Sequence, residues 1–247
     1  MTTKFGIMGY GYVGKATHLS LLKDQKCTVH DIMFDTALDD LMNCEFIFIC
    51  IPTSTQTDID NLIIEAKKLN DLNPNCQIII RSTLPLGACK KLESSIGKKI
   101  IYIPEFLRER FWQEDSLKRP LIVGHNGVDI PDWLSAEEIF ECTTDEAELT
   151  KMFSNTFAVM RIAFANVFYD LSQKVEADYA HIKNMYFNVA HDQTYMEVPG
   201  HDGTRGFGGK CLPKDLDFFI QTLDEHQIDQ DWFKNIRDLN KRWQAKF

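Results

Sequence analysis

Lys4-Phe5-Gly6-Ile7-Met8-Gly9-Tyr10-Gly11-Tyr12-Val13-Gly14 is the stretch on which the fold turns. Its first half, Lys4–Met8, is a short apolar run that predicts a strand. Its second half reads GxGxxG at Gly9, Gly11 and Gly14, and helix-compatible sequence follows from Lys15. Glycines so spaced between strand and helix permit a tight turn and close approach of a pyrophosphate, whose charge sits at the helix N-terminus. Alone the motif is weak. Asp31 strengthens it, closing the next strand-like run 17 residues beyond Gly14. That is near the spacing at which a carboxylate holds a ribose 2′-hydroxyl, and a carboxylate there repels a 2′-phosphate. The pattern therefore points to NAD rather than NADP. The bland alternative is a strand-to-helix turn followed by a surface aspartate.

Working outward, further apolar runs lie at Cys27–His30, Glu45–Ile51, Gln77–Ile80, Lys99–Ile103 and Leu121–Val123. Glu45–Ile51 is apolar on both faces, as a central parallel strand covered on both sides must be. Helices fit between the runs at Lys15–Lys23, Asp60–Asp71 and Gly87–Ile96. Such alternation predicts an α/β fold, a Rossmann-type doubly wound parallel sheet, over residues 1–143. The pattern then changes. Thr143-Thr144-Asp145-Glu146 has capping-box chemistry, Asp145 followed by Glu148 offers a second capping choice, and a stretch without Pro or Gly runs to about Gln173. One long helix there, further helices near Asp178–Val189, from Pro213 and from about Asp231, and a glycine-rich loop over Pro199–Gly209 predict a mostly helical second domain, residues 144–247.

At 247 residues the chain has room for one or two domains. A hydrophobic share of 44% and a net charge of −9 describe a folded acidic chain, which argues against nucleic acid or an anionic membrane as main partner. No apolar run reaches the roughly 20 residues of a membrane span. The seven cysteines contain no CxxC pair, which excludes the common zinc and thioredoxin spacings and fits a reducing compartment. With a strand starting almost at Met1, leaving no room for a signal peptide, the expectation is a cytoplasmic protein without a metal.

The candidate chemistry lies in Gly206-Phe207-Gly208-Gly209-Lys210-Cys211-Leu212-Pro213-Lys214-Asp215. Pro213 suits the first position of a helix, which sets Cys211 just before its N-terminus, with Lys210 and Lys214 alongside. Helix dipole and cations both favour thiolate, so this is expected to be the most acidic of the seven thiols. The other six sit in apolar runs or on polar segments without such features, where packing is the default. Lys151 and Asn155 are one helical turn apart and can donate together to a developing oxyanion, although such a pair alone is usually a solvated face. Ser82-Thr83 and Pro104-Glu105 each follow a strand-like run, at the strand ends where α/β ligands bind. Together these residues are expected to bring a hydroxyl, a carboxylate, a cation and a thiol to one crevice.

Gly9–Gly14 with Tyr12-Val13, then Ile51-Pro52-Thr53, Arg81-Ser82-Thr83, Pro104-Glu105-Phe106-Leu107-Arg108-Glu109, Glu148-Leu149-Thr150-Lys151 with Asn155, and Gly206–Asp215 occur in this order. In this the chain resembles the UDP-glucose 6-dehydrogenase / GDP-mannose dehydrogenase family across nearly its whole length. The resemblance implies oxidation of a nucleotide sugar's C6 alcohol to the carboxylate with two NAD, UDP-glucose being the first candidate. It implies that Cys211 captures the C6 aldehyde as a thiohemiacetal, later a thioester, and that Lys151 and Asn155 stabilise the C6 oxygen. Asp215 and Thr83 would organise a water, and Glu105 would act as acid/base in thioester turnover. Gly9, Gly11, Tyr12, Val13, Gly14, Asp31, Pro52, Thr53 and Thr83 would hold NAD. Glu105, Phe106, Leu107, Arg108, Lys151, Asn155 and Gly208 would contact substrate. The long helix would make a homodimer.

The chain departs from the family pattern in three places. Arg110 stands where the family commonly has Gly, and Thr36 where a basic residue often meets the adenosine half of the cofactor. The usual third, nucleotide-gripping domain would lie beyond Phe247, so the expectation is a short form. Two rivals share part of the pattern: a β-hydroxyacid-type dehydrogenase, which transfers one hydride and needs no cysteine, and a non-catalytic NAD-binding remnant.

Overall fold

The computed structural model describes residues 3–23, 25–117, 120–174, 176–189, 197–200, 202–225 and 230–245. The chain forms two compact units, Met1–Lys151 and Met152–Phe247.

The first unit is built on a seven-stranded sheet of order β2-β1-β3-β4-β5-β6-β7. Its strands are β1 (Phe5–Met8), β2 (Cys27–His30), β3 (Phe46–Ile49), β4 (Gln77–Ile80), β5 (Ile101–Tyr102), β6 (Leu121–His125) and β7 (Ile139–Cys142). Alternation along β3 explains its apolar run. Ile47 and Ile49 enter the core under helices α2 (Gln56–Leu72) and α3 (Ala88–Ile96), whereas Phe48 and Cys50 enter the core on the opposite face. α2 supplies Ile59, Leu62, Ala66 and Leu69 as a buried stripe, and α3 supplies Cys89, Leu92 and Ile96. α2 starts four residues before the expected Asp60 because Thr55 and Asp58 form a capping box. The Thr55 hydroxyl accepts from Asp58 N at 3.2 Å, and the Asp58 carboxylate accepts from Thr55 N at 2.8 Å. On the other face, α1 (Tyr12–Thr17) passes into a π-helical turn, His18–Leu22, which buries Leu22.

Strands β1 to β5 are parallel, but β6 runs antiparallel to β5, and β7 pairs parallel with β6. A wholly parallel sheet would need a crossover returning the chain to the starting edge. The residues available after β5 are spent instead on a 3-10 turn, Glu109–Phe111, and on α4 (Trp112–Ser116), which packs against α1. The chain therefore enters β6 from the carboxyl end of β5. β7 escaped sequence reading because it is a short edge strand whose four residues are all partly exposed.

The long helix α5 (Thr144–Lys174) begins as expected at a capping box: Glu146 N donates to the Thr143 hydroxyl, and Thr143 N donates to the Glu146 carboxylate. These bonds hold the Glu146 carboxyl below its ordinary range. Its first two turns belong to the sheet unit. Ala147 packs where Gly124 of β6 leaves no room for a Cβ, and the buried Glu148 carboxylate accepts from Gly87 N (2.6 Å) and Cys89 N (2.7 Å). It thereby caps α3, whose own N-cap residue is a glycine.

In the second unit all regular structure among the described residues is helical: the rest of α5, α6 (Tyr179–Val189), α7 (Leu212–Glu225) and α8 (Asp231–Gln244). Its core joins Val159, Ile162 and Ala163 to Phe207, Leu216, Ile220, Ile236 and Trp243. The expected helix positions agree to within a residue or two.

Candidate active site

Strand order reverses at β1, which has β2 on one side and β3 on the other, so the carboxyl ends of β1 and β3 open the crevice where sheets of this kind bind ligands. The glycine turn lies there. Gly9 has φ +88°, and a Cβ on it would lie 2.8 Å from Cys50 O; a Cβ on Gly14 would run into Gly9 O. Both are demanded by the fold itself. Gly11 differs: a Cβ there meets no atom within 4 Å, and its φ is −68°. No side chain caps the helix that starts at Tyr12. A phosphate would fill a cradle of this kind, and a side chain would fill it too. Val13 joins the sheet core behind it.

Asp31 ends β2 and joins the loops. Its Oδ2 accepts from Tyr10 N at 2.5 Å and its Oδ1 from Met33 N at 2.8 Å. A carboxylate offers about four acceptor positions, so capacity remains for a ribose hydroxyl. Thr36 folds back on Asp31, accepting from its N–H at 3.1 Å. Tyr10 hydrogen-bonds His18 through its hydroxyl at 2.7 Å and leans on Phe34. Beyond β3, Pro52 is exposed, and the buried Thr53 donates to Thr83 O at 2.6 Å, joining the ends of β3 and β4.

One residue beside them went unnoticed as a site component in the sequence. Arg81 is buried, with Nε on the Thr17 hydroxyl (3.2 Å) and Nη1 on Ile103 O (3.0 Å). It connects the helix of the glycine turn to the segment that delivers Glu105. Burial draws its pKa down, while Cys50, Glu105 and Tyr102 oppose that shift.

Glu105 and Lys151 form a buried ion pair, Oε1 to Nζ 3.4 Å, with each side chain 3% exposed. The other Glu105 oxygen accepts from Leu107 N at 2.5 Å, and the Phe106 ring lies 5.2 Å from the Lys151 ammonium. Arg108 is directed elsewhere: its guanidinium forks onto Asp115 (3.0 and 2.8 Å), its backbone N–H joins the same carboxylate, and it stacks over Phe111. Arg110 is exposed.

In the second unit, α7 begins one residue ahead of Pro213, making Cys211 its N-cap, with Asp215 N donating to Cys211 O at 2.9 Å. Cys211 is half-exposed and Lys210 exposed. Burial pushes up the thiols of Cys27 (to about 11), Cys50 (to about 12), Cys44, Cys76, Cys89 and Cys142. Asp215 is 1% exposed. Its Oδ2 accepts from the Asn155 amide, while its Oδ1 lies 3.3 Å from Lys214 Nζ and has no directed hydrogen bond among the described residues. An oriented carboxylate with a spare acceptor, one turn into the helix that Cys211 starts, is equipped to hold a water. Lys151 and Asn155 lie one turn apart on α5, as expected.

The first unit is a Rossmann-type α/β fold, the architecture of dinucleotide-dependent dehydrogenases. Residues 145–242 match the central domain of the UDP-glucose/GDP-mannose dehydrogenase family. It is 32% identical over 215 residues to the UDP-glucose 6-dehydrogenase of Campylobacter jejuni, a match covering 81% of this chain and 53% of that protein. It is 29% identical over 225 residues to that of Rickettsia bellii, covering 82% and 50%. The chain thus spans about half the length of the curated relatives it matches. In structure it resembles a UDP-glucose dehydrogenase from Pyrobaculum islandicum, with a TM-score of 0.78 and 19% identity over 98% of this chain and 68% of that one.

Proposed function

We propose that this chain is an NAD-dependent oxidoreductase that converts the C6 alcohol of a nucleotide sugar, UDP-glucose first among candidates, to the carboxylate. The observation that carries the reading is the half-exposed Cys211 thiol at the start of α7, one turn from the Asn155–Asp215–Lys214 cluster, within the stretch that matches the family. NAD, when bound, accepts a hydride in each of two oxidations. The cradle around Gly11, the carboxylate of Asp31 and the strand-end residues Pro52, Thr53 and Thr83 are the groups that would hold it.

The chain's own residues do the rest. Lys151 and Asn155 donate to the C6 oxygen as its proton passes to a water and charge develops. The Cys211 thiolate adds to the aldehyde carbon, forming a C–S bond and a thiohemiacetal that cannot diffuse away. Loss of the second hydride makes a thioester. Asp215, Thr83 and Glu105 are assigned to hydrolysis: a water adds to the thioester carbonyl, gives up its proton to a carboxylate base, and the thiolate leaves. Phe106, Leu107 and Gly208 are assigned to substrate contact, whereas Arg108 would reach substrate only by leaving Asp115. The exposed Phe153 (70%), Phe157 and Phe164 along α5 support a homodimer built on that helix.

Two results test the reading. With UDP- and GDP-hexoses and NAD, one sugar should yield two NADH per molecule oxidised; a yield of one would favour a single-hydride enzyme, and none with measurable NAD binding a remnant. Gly11→Ala should weaken NADH binding, followed by fluorescence, about tenfold or more. Because its Cβ meets no protein atom, stability should fall by no more than about 1 kcal/mol. Unchanged NADH affinity would remove the cradle from the cofactor site.

A further inference from the structure

The loop that ends in Cys211 is fixed by side chains from elsewhere in the second unit. Asn240, on α8 and 6% exposed, faces the backbone of Phe207 with both ends of its amide: Oδ1 accepts from Phe207 N at 2.7 Å, and Nδ2 donates to Phe207 O at 2.8 Å. An asparagine amide, with donor and acceptor side by side, is complementary to the N–H and C=O of a single residue. Gln244, one turn further on α8, donates to the same carbonyl at 3.0 Å. From α5, Asn166 Oδ1 accepts from Gly206 N and from Arg205 Nε, both at 3.3 Å. Gly206 itself has φ +83°, and a Cβ there would collide with Asn240 Oδ1. Buried backbone groups need partners. Here the partners of one short segment come from two helices.

Among the described residues, Phe207 is the last so held before the thiol. Gly208, Gly209 (φ +75°) and the exposed Lys210 follow, and then Cys211, whose carbonyl is taken by Asp215 N. The position of Phe207 therefore sets where the glycine segment that leads to the thiol begins.

We propose that Asn240, supported by Gln244, is a positioning residue for Cys211, holding the thiol's loop through the backbone of Phe207. The proposal rests on Cys211 as the nucleophile, but its test does not. In Asn240→Leu both bonds are lost at similar volume; Asn240→Asp keeps the acceptor for Phe207 N and loses the donor. Iodoacetamide labelling, resolved by peptide mass spectrometry well below the melting temperature, should show Cys211 modified about fivefold faster or more in Asn240→Leu, with Asn240→Asp between it and the parent. Hydrogen exchange across α7 should stay as in the parent. If the protein turns over, kcat should fall about 100-fold with KM for the nucleotide sugar nearly constant, since misplacing a reacting atom costs rate more than binding.

Labelling within twofold of the parent overturns the proposal, and so does faster labelling accompanied by faster α7 exchange, which marks general loosening of the unit. Should both Asn240 variants fail to fold, Gln244→Met, at an exposed position, decides: faster Cys211 labelling supports the brace, and an unchanged rate overturns it. Cys211→Ser in the same turnover assay separates the two ideas. Normal turnover there dismisses the nucleophile and leaves the labelling result to judge the brace.

Discussion

Replacing Cys211 by serine abolishes acid formation: we expect a loss of at least about 10³-fold in the four-electron reaction, the scale on which removing a covalent nucleophile acts. A serine hydroxyl at the same helix start has almost no anionic fraction near neutrality and is a far weaker nucleophile, and its ester would carry a poorer leaving group than the thioester. Any remaining turnover should stop at one NADH per sugar. No other cysteine can substitute. Cys50 and Cys89 are buried, and burial pushes the Cys50 thiol up to about 12. At pH 8 that leaves a thiolate fraction of roughly one in ten thousand. Chromatography of the product and the NADH-to-sugar ratio check the expectation together. Two NADH per sugar from Cys211→Ser at an ordinary rate would end the covalent mechanism and favour direct oxidation of a hydrated aldehyde.

The second large effect concerns stability. Lys151→Met removes one partner of an ion pair in which both side chains are 3% exposed, and it leaves the Glu105 carboxylate without its cation. Breaking such a pair from one side costs about 3–5 kcal/mol, because an uncompensated charge stays in a medium that solvates it poorly. For a unit of this size that corresponds to ~10 °C in melting temperature. The Leu107 N–H bond to Glu105 remains and offsets only part of the loss. Pairing Lys151→Met with Glu105→Gln removes the stranded charge, so the double variant should be more stable than Lys151→Met alone. Urea titrations of the four proteins give the coupling directly. A cost below about 1 kcal/mol for Lys151→Met would show that the pair behaves as a surface contact. Added salt should change little, since ions screen buried pairs weakly.

Much of this architecture could be read along the chain, and the reasons are local. Periodicity exposed β3, because a strand covered on both faces must be apolar at every position from Phe46 to Cys50. The Gly9–Gly14 turn announced itself because backbone sterics at Gly9 and Gly14 allow few other residues. Cys211 stood out because Pro213 marks a helix start, although the helix begins one residue earlier than that proline suggested. The cap of α2 lies in Thr55 and Asp58, ahead of the apolar stripe that begins at Ile59, so periodicity alone places the helix start too late.

Neighbours within a turn or a strand fix the alternating elements, the glycine cradle and the helix start that carries a thiol. Tertiary structure alone decided the rest. It reversed β6, because the chain after β5 lies against α1 rather than crossing back. It paired Glu105 with a lysine 46 positions away, turned Arg108 onto Asp115, buried Arg81 between α1 and β5, and brought Asn240 to Phe207 across 33 residues. Periodicity and spacing carry no record of such contacts, because a buried polar side chain finds its partner by position in space and the chain between them is free to vary.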